Sequence, residues 1–483
     1  MKIVIKWLIL CAMLAIGEAL AFYLPYFSSA WPYILVLALF VALIAFGFRW
    51  CYLYLVSILL LGVTVAWIHI ADRREVLTQM VELNRGRPVE VEFKVPSTIK
   101  YFEDSKGVTK VTFPSSVHGV DVTVNIYIKD GEELPKPSEV WRCKGWLGRN
   151  SEGKIFGKRR FWVRGKGSSA KLVKKSDKYF SLARIVAYIR DDVSRRIGMG
   201  VENNGEIKNL NRALLLGDKS GISADMRKDF ANSGTAHLFA VSGLHVFVIA
   251  KFFSILLCFT GFPVRYRAIP LLPLIWLYIL VVGAGPSSIR AGIMATFYFL
   301  APLFWRKGDS LVSWALTFIL VHIVKPENLI NTGSQLSFVV MLGLVVWNRI
   351  AKEFKGRIFS MLAPSFVAWA FGVPIVAATF DVITPGGLVA NLLAVPVACL
   401  SVVLSASGVL VSYVSYFMAG LLNEASYMMT SIMIGLARTT SSVGLANFEV
   451  EKWTFIECML WYAIICVSMW AVYMYRTRVT IRI

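Results

Sequence analysis

Apolar runs of about 18–22 residues recur through this chain, each long enough as a helix to cross the roughly 30 Å hydrocarbon core of a bilayer. Three lie at the start, at 7–27, 31–48 and 51–70. Nine more follow, at 237–260, 268–284, 288–304, 309–324, 329–348, 359–380, 386–409, 411–437 and 455–475. With 57% of its 483 residues hydrophobic, the chain reads as a polytopic α-helical membrane protein of about twelve transmembrane helices. Ala19-Leu-Ala21 offers a small-x-small cleavage site, but the two runs that follow at once favour an uncleaved first helix.

Lys and Arg favour cytoplasmic loops, and that bias orients the helices. Arg49 inside places residue 71 outside the cytoplasm. Arg265 and Arg267, Arg306 and Lys307, Arg349 with Lys352, Lys355 and Arg357, and the tail with Arg476, Arg478 and Arg482 then all fall inside. The outer loops hold Lys325, Arg438 and Lys452, with Glu327, Glu449 and Glu451 beside them. Nine crossings that start outside leave the C-terminus cytoplasmic. The formal net charge of +21 is explained in large part by these loops.

Residues 1–70 therefore form an N-terminal helical region, and residues 71–178 a small extracytoplasmic all-β domain. Strand-like alternation appears at 89–93, 108–113, 122–128, 140–147 and 154–163, bounded by turns such as Asp130-Gly131 and Ser151-Glu-Gly153. Five short strands in about ninety residues suit a small barrel, with an OB-like fold the natural candidate. Between Trp141 and Arg190 stand 15 Lys or Arg against Glu152 and Asp177. Arg142, Lys144, Lys158, Arg159 and Arg160, with Trp146 and Trp162 among them, make a basic surface with aromatic platforms. Phosphates supply the charge that such a surface attracts, and every base has a face to stack, so it fits single-stranded nucleic acid. It equally fits anionic lipid headgroups, the aromatic rings then filling a barrel core.

Residues 179–232 carry apolar side chains at helical spacing between Arg184, Arg190, Arg195 and Arg196, an amphipathic and interfacial pattern. Short helices follow, one of them capped by Ser223. These lead into residues 233–483, which open on SGTAHLFAVSGLHVFV at 233–248. Ser233, Gly234, His237, Ser242, Gly243 and His245 stand where lipid-facing sequence should begin. Polar groups at membrane depth are costly, so they face protein or a water-filled path. Arg290 follows Gly283, Gly285, Pro286, Ser287 and Ser288; it either snorkels to the interface or meets a passing phosphate in irregular, cavity-lining backbone. Gln335, Ser337 and Asn391 are lining candidates or interhelical hydrogen-bonders.

This stretch, together with Ala213-Leu-Leu-Leu-Gly-Asp218, Met226-Arg-Lys-Asp-Phe230, Pro286-Ser-Ser-Ile-Arg-Ala291, Gly333-Ser-Gln-Leu-Ser-Phe338 and Asn391-Leu-Leu-Ala-Val-Pro396, resembles the signature of the ComEC family of competence proteins. The resemblance covers most of the chain. It implies an inner-membrane channel for single-stranded DNA uptake in natural transformation, with an OB-fold in the outer domain. It also implies membrane lipids, a DNA receptor, a motor ATPase or helicase and a separate nuclease as partners. Nothing in the sequence reports the oligomeric state.

Several features argue against chemistry in this polypeptide. Many ComEC relatives carry a C-terminal metallo-β-lactamase-like domain with an HxHxDH motif; the five histidines here (His69, His118, His237, His245, His322) show no such arrangement. Seven Cys without a CxxC pair argue against zinc. Leu216-Gly-Asp-Lys-Ser220 only superficially resembles a phosphate-binding loop, so no cofactor is expected. Ser242 and His245 share a helix face but lack the third group of a triad. The expectation is a non-enzymatic, metal-free channel; a transporter or flippase for another anionic substrate, and a membrane-embedded hydrolase using Ser242 and His245, are the alternatives.

Overall fold

The computed structural model describes residues 88–481 apart from 97–99, 105–107, 118–119, 130–133, 136–138, 153–157, 175–181, 202–204, 240, 330, 352–356 and 443–447. The helices expected over 1–70 lie outside these residues. The chain divides into two compact units, the second comprising Val193–Phe318 and Thr332–Ile483.

In the first unit, strands β1 (Val89–Lys94), β2 (Lys100–Asp104), β3 (Val108–Val117), β4 (Val120–Lys129), β5 (Val140–Glu152) and β6 (Lys158–Lys174) form one sheet. Its order is β1-β5-β6-β4-β3-β2, antiparallel throughout except for the β4–β6 pair. In a flat sheet β1 and β3 would stand four strand spacings apart, roughly 19 Å. Their Cα atoms instead come within 8 Å. The sheet is therefore rolled upon itself, and the Phe93 and Phe113 rings meet inside at 5.5 Å. Alternation decides which residues go in: Val91, Phe93, Val111, Phe113, Val124, Ile126, Trp141 and Cys143 are buried. Glu139 is buried beside them, accepting the Trp141 indole N–H at 3.0 Å.

Two strands depart from the pattern expected from alternation. β2 was not anticipated, and the last strand runs over Lys158–Lys174 rather than 154–163. Its second half, RGKGSSAKLVK, has almost no apolar alternation and is held as strand by ladder bonds to β4 and β5.

Twelve helices are described beyond the sheet. They are α1 (Leu182–Arg196), α2 (Gly205–Leu216), α3 (Ala224–Asn232), α4 (Gly243–Phe259), α5 (Ala268–Val281), α6 (Pro286–Leu300), α7 (Ser310–Val324), α8 (Thr332–Ala351), α9 (Arg357–Phe380), α10 (Gly386–Val411), α11 (Tyr416–Ser442) and α12 (Phe455–Ile481). A short ribbon, β7 (Val382–Ile383) with β8 (Phe448–Glu449), ties the loop after α9 to the loop before α12. Helices α4–α12 follow the nine intervals expected from the apolar runs, with α11 displaced five residues toward the C-terminus and α12 extending six residues past 475. The first begins at Gly243 rather than 237, because Ala236–Phe239 forms a 3-10 turn.

By length and composition, five segments suit a membrane crossing among the described residues: Val264–Val281, Pro286–Phe304, Thr332–Ala351, Leu362–Phe380 and Gly386–Val411. Phe247, Phe366, Val389, Leu393, Met428, Leu460 and Ile464 are exposed along these and neighbouring helices. An outer surface of this kind belongs against lipid rather than water. Helix α11 is not among the five; its polar residues include Asn423, Ser426 and Thr430, which are buried.

Proline sites show how the bundle repairs its own backbone. Pro374 inside α9 cannot donate to the carbonyl of Ala370. The Trp461 indole N–H of α12 takes that carbonyl at 2.9 Å, and the Tyr462 hydroxyl takes that of Phe371 at 3.0 Å.

Candidate membrane mouth and its polar groups

Ser223 caps α3, its hydroxyl accepting the Met226 N–H at 3.2 Å, and Ser233 closes the other end. The Ser233 hydroxyl is fully buried, 3.2 Å from the Phe230 carbonyl and 2.7 Å from Thr235 Oγ1. Gly234 then turns the chain at φ +72°, so close to α10 that a Cβ there would lie 2.9 Å from Gly387 Cα. His237, in the 3-10 turn that follows, is exposed.

Ser242 is the N-cap of α4. Its backbone N–H donates to His245 Nδ1 at 3.1 Å, and its hydroxyl lies 3.1 Å from the same nitrogen. Nδ1 is thus an acceptor, and a neutral ring carries its proton on Nε2. The Ser-x-x-His spacing accordingly builds a capping box, with His245 in the place usually held by Glu or Gln.

Three further contacts join neighbouring helix starts. A Cβ on Gly243 would sit 3.5 Å from Ala291 Cβ of α6, the Ser288 hydroxyl donates to the Val241 carbonyl at 3.3 Å, and Arg290 Nη2 donates to the Gly333 carbonyl in the first turn of α8 at 3.0 Å. These contacts gather the N-termini of α4, α6 and α8 in one neighbourhood, while the start of α10 at Gly387 lies against the Gly234 turn that precedes α4. None of the four helices has an acidic residue in its first turn. Each N-terminus carries a partial positive charge, so the neighbourhood favours anions.

Arg290 is 7% exposed, its Nε has no partner, and its guanidinium carbon lies 5.8 Å from the Phe338 ring. It is buried, not snorkelling. Asn391 stands one turn beyond Gly387 on α10, half-buried, with Oδ1 unpartnered. Gln335 and Ser337 are half-buried in α8; Arg290 reaches the backbone of Gly333 rather than either side chain.

A buried polar cluster among the described residues is not anticipated by the sequence analysis. Thr430 Oγ1 donates to Asn211 Oδ1 at 2.6 Å, Ser401 Oγ to the same oxygen at 3.0 Å, and Ser426 and Ser405 continue the chain at 2.7 Å. Asn423 donates to the carbonyls of Arg196 and Met199 at 3.2 and 3.0 Å. The signal was present as polar residues at intervals of three or four along α10 and α11. Their effect is to bury α2 against both helices.

Of the candidate nucleic-acid residues on the sheet, Arg142 is exposed and pairs with Glu92 across the β1–β5 ladder at 3.2 Å, and Trp146 is 41% exposed on the same face. Lys144 lies between them, opposite Glu90. Lys158, Arg159 and Arg160 are opposite Glu152, Ser151 and Asn150, and Trp162 is opposite Gly148 on β5 and Thr123 on β4. Positions 142–152 of β5 extend over roughly 33 Å, so the candidates form a line along one ribbon rather than a single spot.

Apolar helices with lipid-facing surfaces and an inward polar neighbourhood define a multi-pass membrane protein. Residues 214–475 match the family described as competence protein, and the chain belongs to that family. It is 28% identical over 185 residues to ComE operon protein 3 of Bacillus subtilis (strain 168), covering 38% of this chain and 24% of that protein. It is 26% identical over 165 residues to competence protein ComA of Neisseria gonorrhoeae, covering 31% and 22%. Over 373 residues it is 22% identical to recombination protein 2 of Haemophilus influenzae (strain ATCC 51907 / DSM 11121 / KW20 / Rd), covering 71% and 45%. The chain thus spans less than half the length of these three relatives. No solved structure matches significantly.

Proposed function

We propose that this protein is an inner-membrane channel through which single-stranded DNA enters a bacterial cell during natural transformation. The observation that carries the reading is the mouth: the N-termini of α4, α6 and α8, without a first-turn carboxylate, gathered around the buried Arg290. A strand brings one charge per nucleotide, and each charge at the bilayer centre costs about 3 kcal/mol or more. One arginine does not offset that cost, so water and counterions accompany the strand.

In this reading about twelve helices cross the membrane, the C-terminus is cytoplasmic, and the rolled sheet stands outside as an OB-like domain. Its connectivity supports an OB-like barrel: β1 and β2, consecutive in sequence, occupy opposite edges, as two halves of one strand would in a closed barrel. Arg142 and Trp146 concentrate the strand there. A receptor supplies DNA, a motor ATPase draws it inward, and a separate nuclease removes the complementary strand. Ser242 and His245 serve as the cap of α4 rather than as nucleophile and base, so the protein transports without hydrolysing.

The test is the full chain in proteoliposomes containing a strand-binding trap, with labelled single-stranded or duplex DNA added outside. Protected single strands and excluded duplex are expected. Equal passage of an uncharged polymer of the same size, or no protected strand, overturns the reading.

A further inference from the structure

Arg290 has an unusual electrostatic position. It is buried in α6, two residues after Ser288, and its one hydrogen bond reaches the first turn of α8. Both helix ends around it are positive, and α6 begins at Gly285-Pro286 with no side-chain cap. Among the described residues no carboxylate pairs with Arg290; its hydrogen-bond partner is the neutral carbonyl of Gly333. Next to that carbonyl, Ser334 is 1% exposed and its hydroxyl has no partner. A buried cation, a buried orphan hydroxyl and the positive ends of α6 and α8, the former without a side-chain cap and neither with a first-turn carboxylate, all favour a charged acceptor.

We propose that the first turns of α6 and α8, with Arg290 and Ser334, form a seat for a single phosphate-type anion, held in the resting protein and exchanged for a phosphodiester of the incoming strand. Arg290 supplies the charge and the planar donors, and Ser334 a hydroxyl donor. The seat rests on the reading that an anionic substrate enters at this mouth. It is a discrete binding site that fills without transport. The same chemistry describes a lipid headgroup phosphate, so the source must be separated by experiment.

The full chain in detergent is titrated with inorganic phosphate at constant ionic strength, chloride replacing it in the control, and the thermal unfolding midpoint is followed. Parallel arms use a short oligothymidylate and nanodiscs with or without phosphatidylglycerol. In the wild type the midpoint rises with phosphate and with the oligonucleotide. Arg290→Gln weakens the apparent phosphate affinity by about tenfold or more, the scale of a lost charged hydrogen bond, and Arg290→Lys restores part of it. Ser334→Ala, which removes an orphan group and leaves packing intact, weakens it less and keeps the proposal testable should the arginine variants not fold. A phosphate response absent from the wild type, or unchanged in both Arg290→Gln and Ser334→Ala, overturns the seat. A rise only with phosphatidylglycerol overturns the strand assignment and gives the seat to lipid. Single-strand binding by the full chain, measured separately over a salt series, reports on the channel reading: its loss with an intact phosphate response sinks that reading and leaves the seat standing.

Discussion

Replacing Gly234 by Ala should damage the mouth far more than the same change at Gly387, although the two residues face each other. At Gly234 the backbone is at φ +72°, and the new Cβ would lie 2.9 Å from Gly387 Cα and 3.3 Å from Thr384 Oγ1. Left-handed backbone costs a residue with a Cβ about 1–2 kcal/mol. Overlap against backbone, which cannot rotate away, adds about 1–3 kcal/mol. The sum is about 2–5 kcal/mol. At Gly387 the nearest atoms to a new Cβ lie at 3.4 Å, close contact without overlap, and the cost is below about 1 kcal/mol. The assay is thermal unfolding of the two variants in one detergent, with strand uptake measured alongside. Gly234→Ala should lower the midpoint by several degrees and Gly387→Ala by little. Equal losses, or a larger loss at Gly387, would show that the close approach of α10 to the Ser233–Gly234 turn is not what requires glycine.

Other perturbations probe separate parts of the molecule. Trp461→Phe keeps an aromatic ring but removes the indole N–H and strands the Ala370 carbonyl that Pro374 leaves open; a loss of about 1–3 kcal/mol is expected, and a neutral result would remove the repair role. Asp309 flanks α7, and burial alone would raise its carboxyl; the N–H groups of Val312 and Leu311, with the Arg349 guanidinium, outweigh that and hold it below its ordinary value of 3.8. Because the folded value is the lower one, the stabilisation is present above 3.8 and is lost as pH falls through the folded value. Asp309→Asn should therefore lower stability at neutral pH and flatten its decline in acid, seen in midpoints measured from pH 3 to 7; a parallel decline in the variant would refute it. Arg142→Gln should reduce the salt slope of single-strand binding by about one, while Trp146→Ala weakens binding at all salt concentrations. Unchanged binding in both would remove the β5 ribbon from the strand path.

Much of the helical region was legible because lipid imposes one rule on every crossing: apolar side chains out and backbone bonds satisfied within the segment. Hence the nine intervals after residue 237 anticipate α4–α12. The run at 411–437 anticipates α11 even though Asn423, Ser426 and Thr430 lower its mean hydropathy; those residues lie buried inside the bundle. The second half of β6, by contrast, was illegible: its ladder partners on β4 and β5, not its own alternation, make it strand.

The candidate site divides along the same line. Sequence alone marked Ser233, Gly234, His237, Ser242, Gly243, His245, Arg290 and Asn391 as polar or small residues set in or beside apolar runs, because hydrophobicity and helical period are properties of neighbours in the chain. Only the tertiary structure decided what each one does. It set Gly234 against Gly387, made Ser242 and His245 a helix cap, turned Arg290 inward to Gly333, and left Ser334 buried without a partner. These outcomes depend on which helix ends meet, and helices far apart in sequence meet through packing that no local pattern encodes.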